Sequence, residues 1–205
     1  MFKEMSVEAF AYAAASRDPV PGGGSVSALA GGLAASLAAM VAALTLKKKA
    51  YADRVPEMQR LHDAAADLQK ELMDAVDKDA QSYREVLAAY RLPKTTEEEH
   101  RQRAAAIQAA FLNATEVPLQ VAEAAMRVLD LAGTAVRRGN PDMRTDAGVG
   151  VLLARSAGLG ALMNAKINLA ELKDRDTAGQ MRERIERLWQ NIVRTESDIL
   201  DSLEI

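Results

Sequence analysis

Cysteine is absent from the 205 residues. This excludes a disulfide framework, a thiolate metal site and a cysteine nucleophile, and it suits a reducing, cytoplasmic setting. Histidine occurs only at His62 and His100. Two are too few for a three-histidine metal site, and neither lies in a ligand-spaced cluster, so both read as surface helix residues. Aromatics make up 4% of the chain and the net charge is −3. A nucleic-acid binder carries a basic excess and stacking rings, so that class is set aside. The opening MFKEMSVEAF lacks the apolar core of a signal peptide. No run reads as a strand, and no repeat or linker divides the chain, so one domain is expected.

What is present is dominated by one stretch, from Asp18 to Lys49. A proline-glycine loop, Pro19 to Gly24, leads to Ser25, whose hydroxyl suits an N-cap. From Val26 to Leu46 there is no charge and no proline. Leu29, Leu33, Leu37, Met40 and Leu44 recur at steps of four and three, which reads as the inward stripe of a packed helix. The uncharged run meets the length of a membrane span. Most of it is Ala, Gly or Ser, however, and a core helix packed backbone-close to its neighbours is preferred. The glycines fit neither GxxxxGK[ST] nor GxGxxG, so no nucleotide loop is read. Glycine-exposed amides at a helix N-terminus can still receive an anion or a polar ligand edge.

Five further helices follow from the same signals. Ser6 caps a short one reaching about Ser16, with Phe10 inward. Pro56 starts a long one that Pro93 stops, with the stripe Leu61, Ala65, Leu68, Leu72, Val76, Asp79, Tyr83, Val86, Tyr90. Thr95 and Thr96, with Glu98 and Glu99 three residues on, are capping boxes for the next. Pro118 is expected to kink or restart it before Gly139. Thr145 or Asp146 caps the fifth, a small-residue helix like the second. Thr177 caps the last, whose Met181, Ile185, Leu188, Ile192, Thr195, Ile199 and Leu203 form a coiled-coil-like seam. The fold expected is an all-α bundle of about six long antiparallel helices in one domain. The seam and the small-residue surface point to a homodimer.

Three groups break the local pattern. Asp79 sits on an otherwise apolar stripe, while Asp77 is turned about 200° away toward solvent. A carboxylate aimed inward is costly unless partnered, and burial raises its pKa toward acid–base use. It reads either as a proton shuttle or as a structural aspartate. Asn164 and Asn168, four apart in an apolar helix, need partners. They suit a polar heterocycle edge, or each other and nearby backbone. In the loop Gly139 to Asp146, Asn140, Asp142 and Asp146 fit turn and cap chemistry. Lys47, Lys48, Lys49, Arg137, Arg138 and Arg144 suit either helix-dipole compensation or an acidic ligand tail.

Several motifs occur in a fixed order: PVPGGGSVSALAGGLAASLAAMVAALT, KKKY, VDKDAQSY, YRLPKTTEEE, EVPL, GNPDMRTDAGV and NAKINL. Together they resemble the cyclodeaminase/cyclohydrolase family. It includes the C-terminal domain of formiminotransferase-cyclodeaminase and stand-alone bacterial methenyltetrahydrofolate cyclohydrolases. The resemblance implies an all-α homodimer acting on a one-carbon tetrahydrofolate, with no metal or redox cofactor. It implies Asp79, the second acid of VDxDA, as the catalytic group. It also implies that Gly23, Gly24, Ser25, Lys48, Asn140, Asp146, Asn164 and Asn168 line a folate pocket. PDMRT departs from the family's usual polar-apolar run there, adding the charge of Arg144. No formiminotransferase segment accompanies these residues, which tilts the expectation to the cyclohydrolase. The alternatives are a cyclodeaminase releasing ammonia and a non-catalytic helical dimer or folate-binding protein.

Overall fold

The computed structural model describes residues 1–203. Six α-helices carry the fold: α1 (Val7–Ala14), α2 (Gly23–Leu46), α3 (Val55–Tyr90), α4 (Glu97–Arg138), α5 (Arg144–Leu169) and α6 (Arg175–Asp201). Short 3₁₀ turns precede α1, α3 and α5, and no strand occurs among the described residues. The expected all-α class and helix number are both observed.

The capping signals are met in part. Ser6 accepts from the Ala9 N–H, and Thr96 with Glu99 forms the full reciprocal capping box. Three expected caps differ. Gly22, not Ser25, is the N-cap of α2. Asp174, not Thr177, caps α6, and Thr177 donates its hydroxyl to Asp174 instead. Neither Thr145 nor Asp146 caps α5: Asn140 caps the preceding 3₁₀ turn by accepting from the Asp142 N–H, and α5 continues from that turn. For α6 and for the turn before α5, an acceptor a few residues upstream reaches the orphan N–H groups first.

α4 neither stops nor restarts at Pro118. Proline has no N–H to give the carbonyl four residues back, which is that of Ala114. The side-chain amide of Asn168 on α5 donates to that carbonyl at 2.7 Å. A neighbouring helix thus supplies the bond the proline withholds, and α4 runs on for 42 residues.

The expected packing of α2 is reversed. Its buried face consists of Gly24, Ser25, Ala28, Gly31, Gly32, Ala34, Ala35, Ala38, Ala42 and similar small residues, joined by Val41. None of Leu29, Leu33, Leu37, Met40 and Leu44 is fully buried, and Leu33 is 49% exposed. Small faces let backbones approach: a Cβ added at Gly160 of α5 would lie 2.5 Å from Ser27 Oγ of α2. Large side chains in that interface would hold the two helices apart, so Leu33 and Met40 point outward while Leu29 packs at the margin of the core. By length and composition, α2 and the span Pro141–Leu169 would suffice to cross a membrane. About half of each apolar window, 44% and 56%, is instead buried against other helices.

The seam of α6 is also consumed within the chain. Met181, Ile185, Ile192 and Ile199 are buried. Ile192 fills the notch at Gly158 of α5, where a Cβ would stand 2.6 Å from its Cδ1, and Ile199 fills the one at Gly133 of α4. Among the exposed apolar residues are Val26, Leu33 and Met40 on α2, with Val149, Leu152, Met163 and Ile167 on α5. Asp77, expected in solvent, accepts from the Phe2 N–H at 2.7 Å and anchors the N-terminal turn to α3.

Candidate active site

Where the N-terminal end of α2 meets α3, α4 and α5, a cavity of about 510 Å³ opens. That is a usual size for a small-molecule site. The loop Pro19 to Gly24 forms one wall, Asp79, Tyr83 and Tyr90 of α3 another, and Phe111 of α4 with Asn164 and Asn168 of α5 the third. The stripe of α3 is core as far as Val76 and then turns to this space. Tyr83 and Tyr90 are accordingly half exposed. Tyr90 meets Phe111 edge-on, with ring centroids 6.2 Å apart.

Asp79 is held from the side of α2. Its Oδ2 accepts the Ser25 hydroxyl at 2.8 Å, and the carboxyl also accepts the Ser25 backbone N–H. That N–H is one of the orphan donors of the first turn of α2, so a side chain of α3 caps the helix. The approach requires glycine at the preceding position. A Cβ on Gly24 would lie 2.5 Å from Asp79 Cγ and closer still to Oδ1. Burial raises the Asp79 pKa above the ordinary carboxylate range, and the two Ser25 donors only partly offset it. None of the described lining residues is Lys, Arg or His. The carboxyl group is thus desolvated, has no cation among the cavity walls, and faces the open space.

The two asparagines are each committed through their amide N–H₂. Asn164 donates to Gly160 O at 2.8 Å and Asn168 to Ala114 O at 2.7 Å. Both line the cavity, and Asn164 also packs on Gly23. Structural and lining roles coexist in one side chain.

Gly23, Gly24, Asp79, Asn164 and Asn168 therefore converge, with Ser25 directly behind Asp79. Lys48, Asn140 and Asp146 do not join them. They lie at the other end of α2, about 36 Å away at 1.5 Å per residue. There Lys48 Nζ pairs with Asp142 at 2.5 Å, and Asn140 accepts from Lys48 at 3.5 Å and Tyr51 at 3.4 Å. The Asn140 N–H donates to Thr45 Oγ1 at 2.8 Å, which pins this loop to α2. Asp146 lies in the first turn of α5. A straight helix separates two groups that sequence order alone had pooled. The cavity also has walls that were not anticipated as site residues: Ser82, Phe111, Ile167 and Glu171. Tyr83 and Tyr90, seven apart on the Asp79 face, carried a readable signal; Glu171 carried none.

Comparisons with known proteins agree on the family. The formiminotransferase-cyclodeaminase family model matches residues 6–187. A methenyltetrahydrofolate cyclohydrolase of Methylorubrum extorquens is 36% identical over 183 residues, covering 89% of this chain and 88% of that protein. The formimidoyltransferase-cyclodeaminase of Rattus norvegicus is 32% identical over 205 residues, 98% of this chain but 37% of that protein. This chain thus spans little more than a third of the animal relative. The crystal structure of formiminotetrahydrofolate cyclodeaminase from Thermotoga maritima superposes with a TM-score of 0.89 at 28% identity, covering 99% of this chain and 98% of that one. With the matched model reaching across most of the helical bundle, the chain belongs to the formiminotransferase-cyclodeaminase family.

Proposed function

We propose that the protein hydrolyses the methenyl bridge of methenyltetrahydrofolate to formyltetrahydrofolate, with Asp79 as the general acid and base. The observation that carries this reading is the carboxyl group itself: desolvated, raised in pKa, held by Ser25 and facing the cavity. A carboxyl group placed this way suits proton exchange with a bound substrate. The similarity to the Methylorubrum extorquens cyclohydrolase over most of both chains directs the choice of substrate.

The chemistry balances with one carboxyl group. The methenyl compound is a cation, and cavity walls bearing Asp79 and Glu171 without a basic residue suit positive charge. Water adds to the bridging carbon while Asp79 takes one of its protons. The neutral hydroxy adduct then opens: Asp79 gives its proton to the departing ring nitrogen, and the adduct's hydroxyl proton leaves to solvent as the formyl C=O forms. One water is consumed and one proton is released. No cofactor takes part in these steps. The aromatic rings of Tyr83, Tyr90 and Phe111 suit a flat heterocycle, and Asn164 and Asn168 suit its polar edge.

A second reading has the same residues run a cyclodeaminase. One folate nitrogen attacks the formimino carbon, and Asp79 carries the proton to departing ammonia. The structural likeness to the Thermotoga maritima cyclodeaminase favours it. Incubation with methenyl- and formimino-tetrahydrofolate separates the two. Loss of the methenyl chromophore indicates the hydrolase, and its appearance with ammonia the deaminase. If neither substrate changes above background, both readings fail.

The protein acts, on this reading, as a homodimer in the cytoplasm. The uncovered apolar residues of α2 and α5 are of the kind a self-complementary partner buries. A two-fold pairing with the α2 helices antiparallel would bring Lys48 and Asn140 of one copy toward the Gly23 end of the other. The anionic glutamate tail of folate would then have a cation within reach. Leu33→Glu should give a monomer by sedimentation and lose activity with it. A dimeric, active Leu33→Glu protein would remove α2 from the interface.

A further inference from the structure

Ser25 has no solvent exposure and a single hydroxyl proton, yet two acceptors stand within its reach. Asp79 Oδ2 is 2.8 Å from its Oγ and the Val76 carbonyl oxygen is 3.0 Å away. One proton cannot serve both at full strength. Val76 lies inside α3, so its carbonyl already accepts a helical N–H and uses Ser25 only for its second lone pair. Two patterns satisfy this triangle. With Asp79 ionised, Ser25 donates to Oδ2 and Val76 keeps its helical bond alone. With Asp79 protonated, the carboxyl O–H donates to Ser25 Oγ, and Ser25 donates onward to Val76. The two differ by a turn of the hydroxyl about its C–O bond, and no heavy atom moves.

We propose that Ser25 is a positioning residue whose hydroxyl turns between Asp79 and the Val76 carbonyl, so that the carboxyl group can take up and release a proton in place. This rests on the reading of Asp79 as the acid–base group. It replaces the expected role of Ser25 as a substrate ligand. Ser25 is walled off between α2 and α3 and is not among the cavity-lining residues. A fixed donor such as the Ser25 N–H stabilises only the ionised form. The hydroxyl serves both forms, because it can donate to the carboxylate or accept from the carboxylic acid. Desolvation would otherwise leave one form with an unsatisfied polar atom at each proton transfer. Few other groups can intervene. Facing the cavity, α3 contributes Tyr83 and Tyr90 and the segment after α5 contributes Glu171, while α2, α4 and α5 contribute no titratable side chain.

The test compares wild type, Ser25→Ala and Ser25→Cys. The Asp79 carboxyl is titrated without substrate by ¹³C NMR on aspartate-labelled protein, with Asp79→Asn assigning the signal. Ser25→Ala removes the mobile donor and leaves the backbone N–H. The Asp79 midpoint should rise, because the hydroxyl's bond to the charged carboxylate is stronger than its bond with the neutral acid, and the pH–kcat limb that it governs should rise by the same amount with KM unchanged. Ser25→Cys, with a weaker donor of similar shape, should fall between the two and serves if the alanine variant does not fold. A midpoint that stays at the wild-type value in both variants overturns the proposal, as does an altered KM with an unmoved limb. The two levels fail separately. An active Asp79→Asn enzyme removes Asp79 from the chemistry, while the substrate-free titration still judges the hydroxyl.

Discussion

The two ends of α2 each hold an aspartate supplied by another segment, and the two are driven in opposite directions. At the N-terminal end, Asp79 is desolvated, meets no cation, and is raised above the usual carboxylate range. At the C-terminal end, Asp142 is exposed and hydrogen-bonded to Lys48, which lowers it. Residue type is the same and so is the helix. What differs is access to water and the nature of the donor: a neutral hydroxyl and amide at one end, an ammonium at the other. The helix dipole works against this contrast, since its positive end favours a charged Asp79, so desolvation is what raises the group. The first arrangement favours the protonated form and leaves the carboxyl group open to proton exchange. The second is fixed as an ion pair.

The contrast breaks most sharply at Asp79. Asp79→Asn keeps an oxygen to accept the Ser25 N–H but cannot exchange a proton. A rate loss of about 10²–10⁴-fold is expected in the chromophore assay. Gly24→Ala comes next, because its Cβ would occupy the place of the carboxyl group. Displacing that group should cost on the order of 10²-fold in rate. Overpacking at the helix junction should also lower stability by about 1–3 kcal/mol in urea titration.

A smaller effect ties α5 to α4. Asn168→Ala leaves the Ala114 carbonyl beside Pro118 without a donor and should cost about 1–3 kcal/mol. Adding Pro118→Ala restores the helical N–H and should return much of that loss. If the two costs simply add, Asn168 is not answering the proline.

The pH dependence of stability separates the two ends. A raised carboxyl binds its proton more tightly in the folded chain than in the unfolded one. Asp79 therefore favours folding increasingly as pH falls through its raised pKa toward the unfolded value of about 3.9. Above that window the buried charge is a net cost, so Asp79→Asn should melt no lower than wild type at neutral pH and lose this advantage in acid. For Asp142 the sign is opposite. Its lowered pKa favours folding above the unfolded value, and that contribution disappears as pH falls through the folded pKa. Being exposed, it is also screened by salt. Asp142→Asn should change the melting temperature least of all and leave the Asp79 titration unmoved.

Much of this was legible in the chain. Helix number, the Thr96–Glu99 box and the apolar stripe of α3 follow from local pattern, because capping and 3.6-residue periodicity are local physics. Asp79 could be singled out for the same reason: one carboxylate on an apolar stripe is a local inconsistency. The role of Ser25 was not legible, since its partners, Val76 and Asp79, lie 51 and 54 residues away. Within one chain Lys48 and Asn140 lie apart from the cavity, because motif order carries no distance and the 24-residue helix α2 lies between them. The large residues of α2 misled because the periodicity marks a distinct face without saying which face is inward. Small residues took the inside, where close helix approach rewards them.

By itself, then, the sequence determined an all-helical chain, the boundaries of most of its helices and the one carboxylate out of place, all consequences of residues within a few turns of one another. Only the tertiary structure decided which face of α2 is core, that Gly24 must be bare for Asp79 to reach the helix end, and that a buried hydroxyl stands behind the carboxyl group. Those depend on how closely two helices approach, a distance set by every small residue along the contact together and by no local pattern alone.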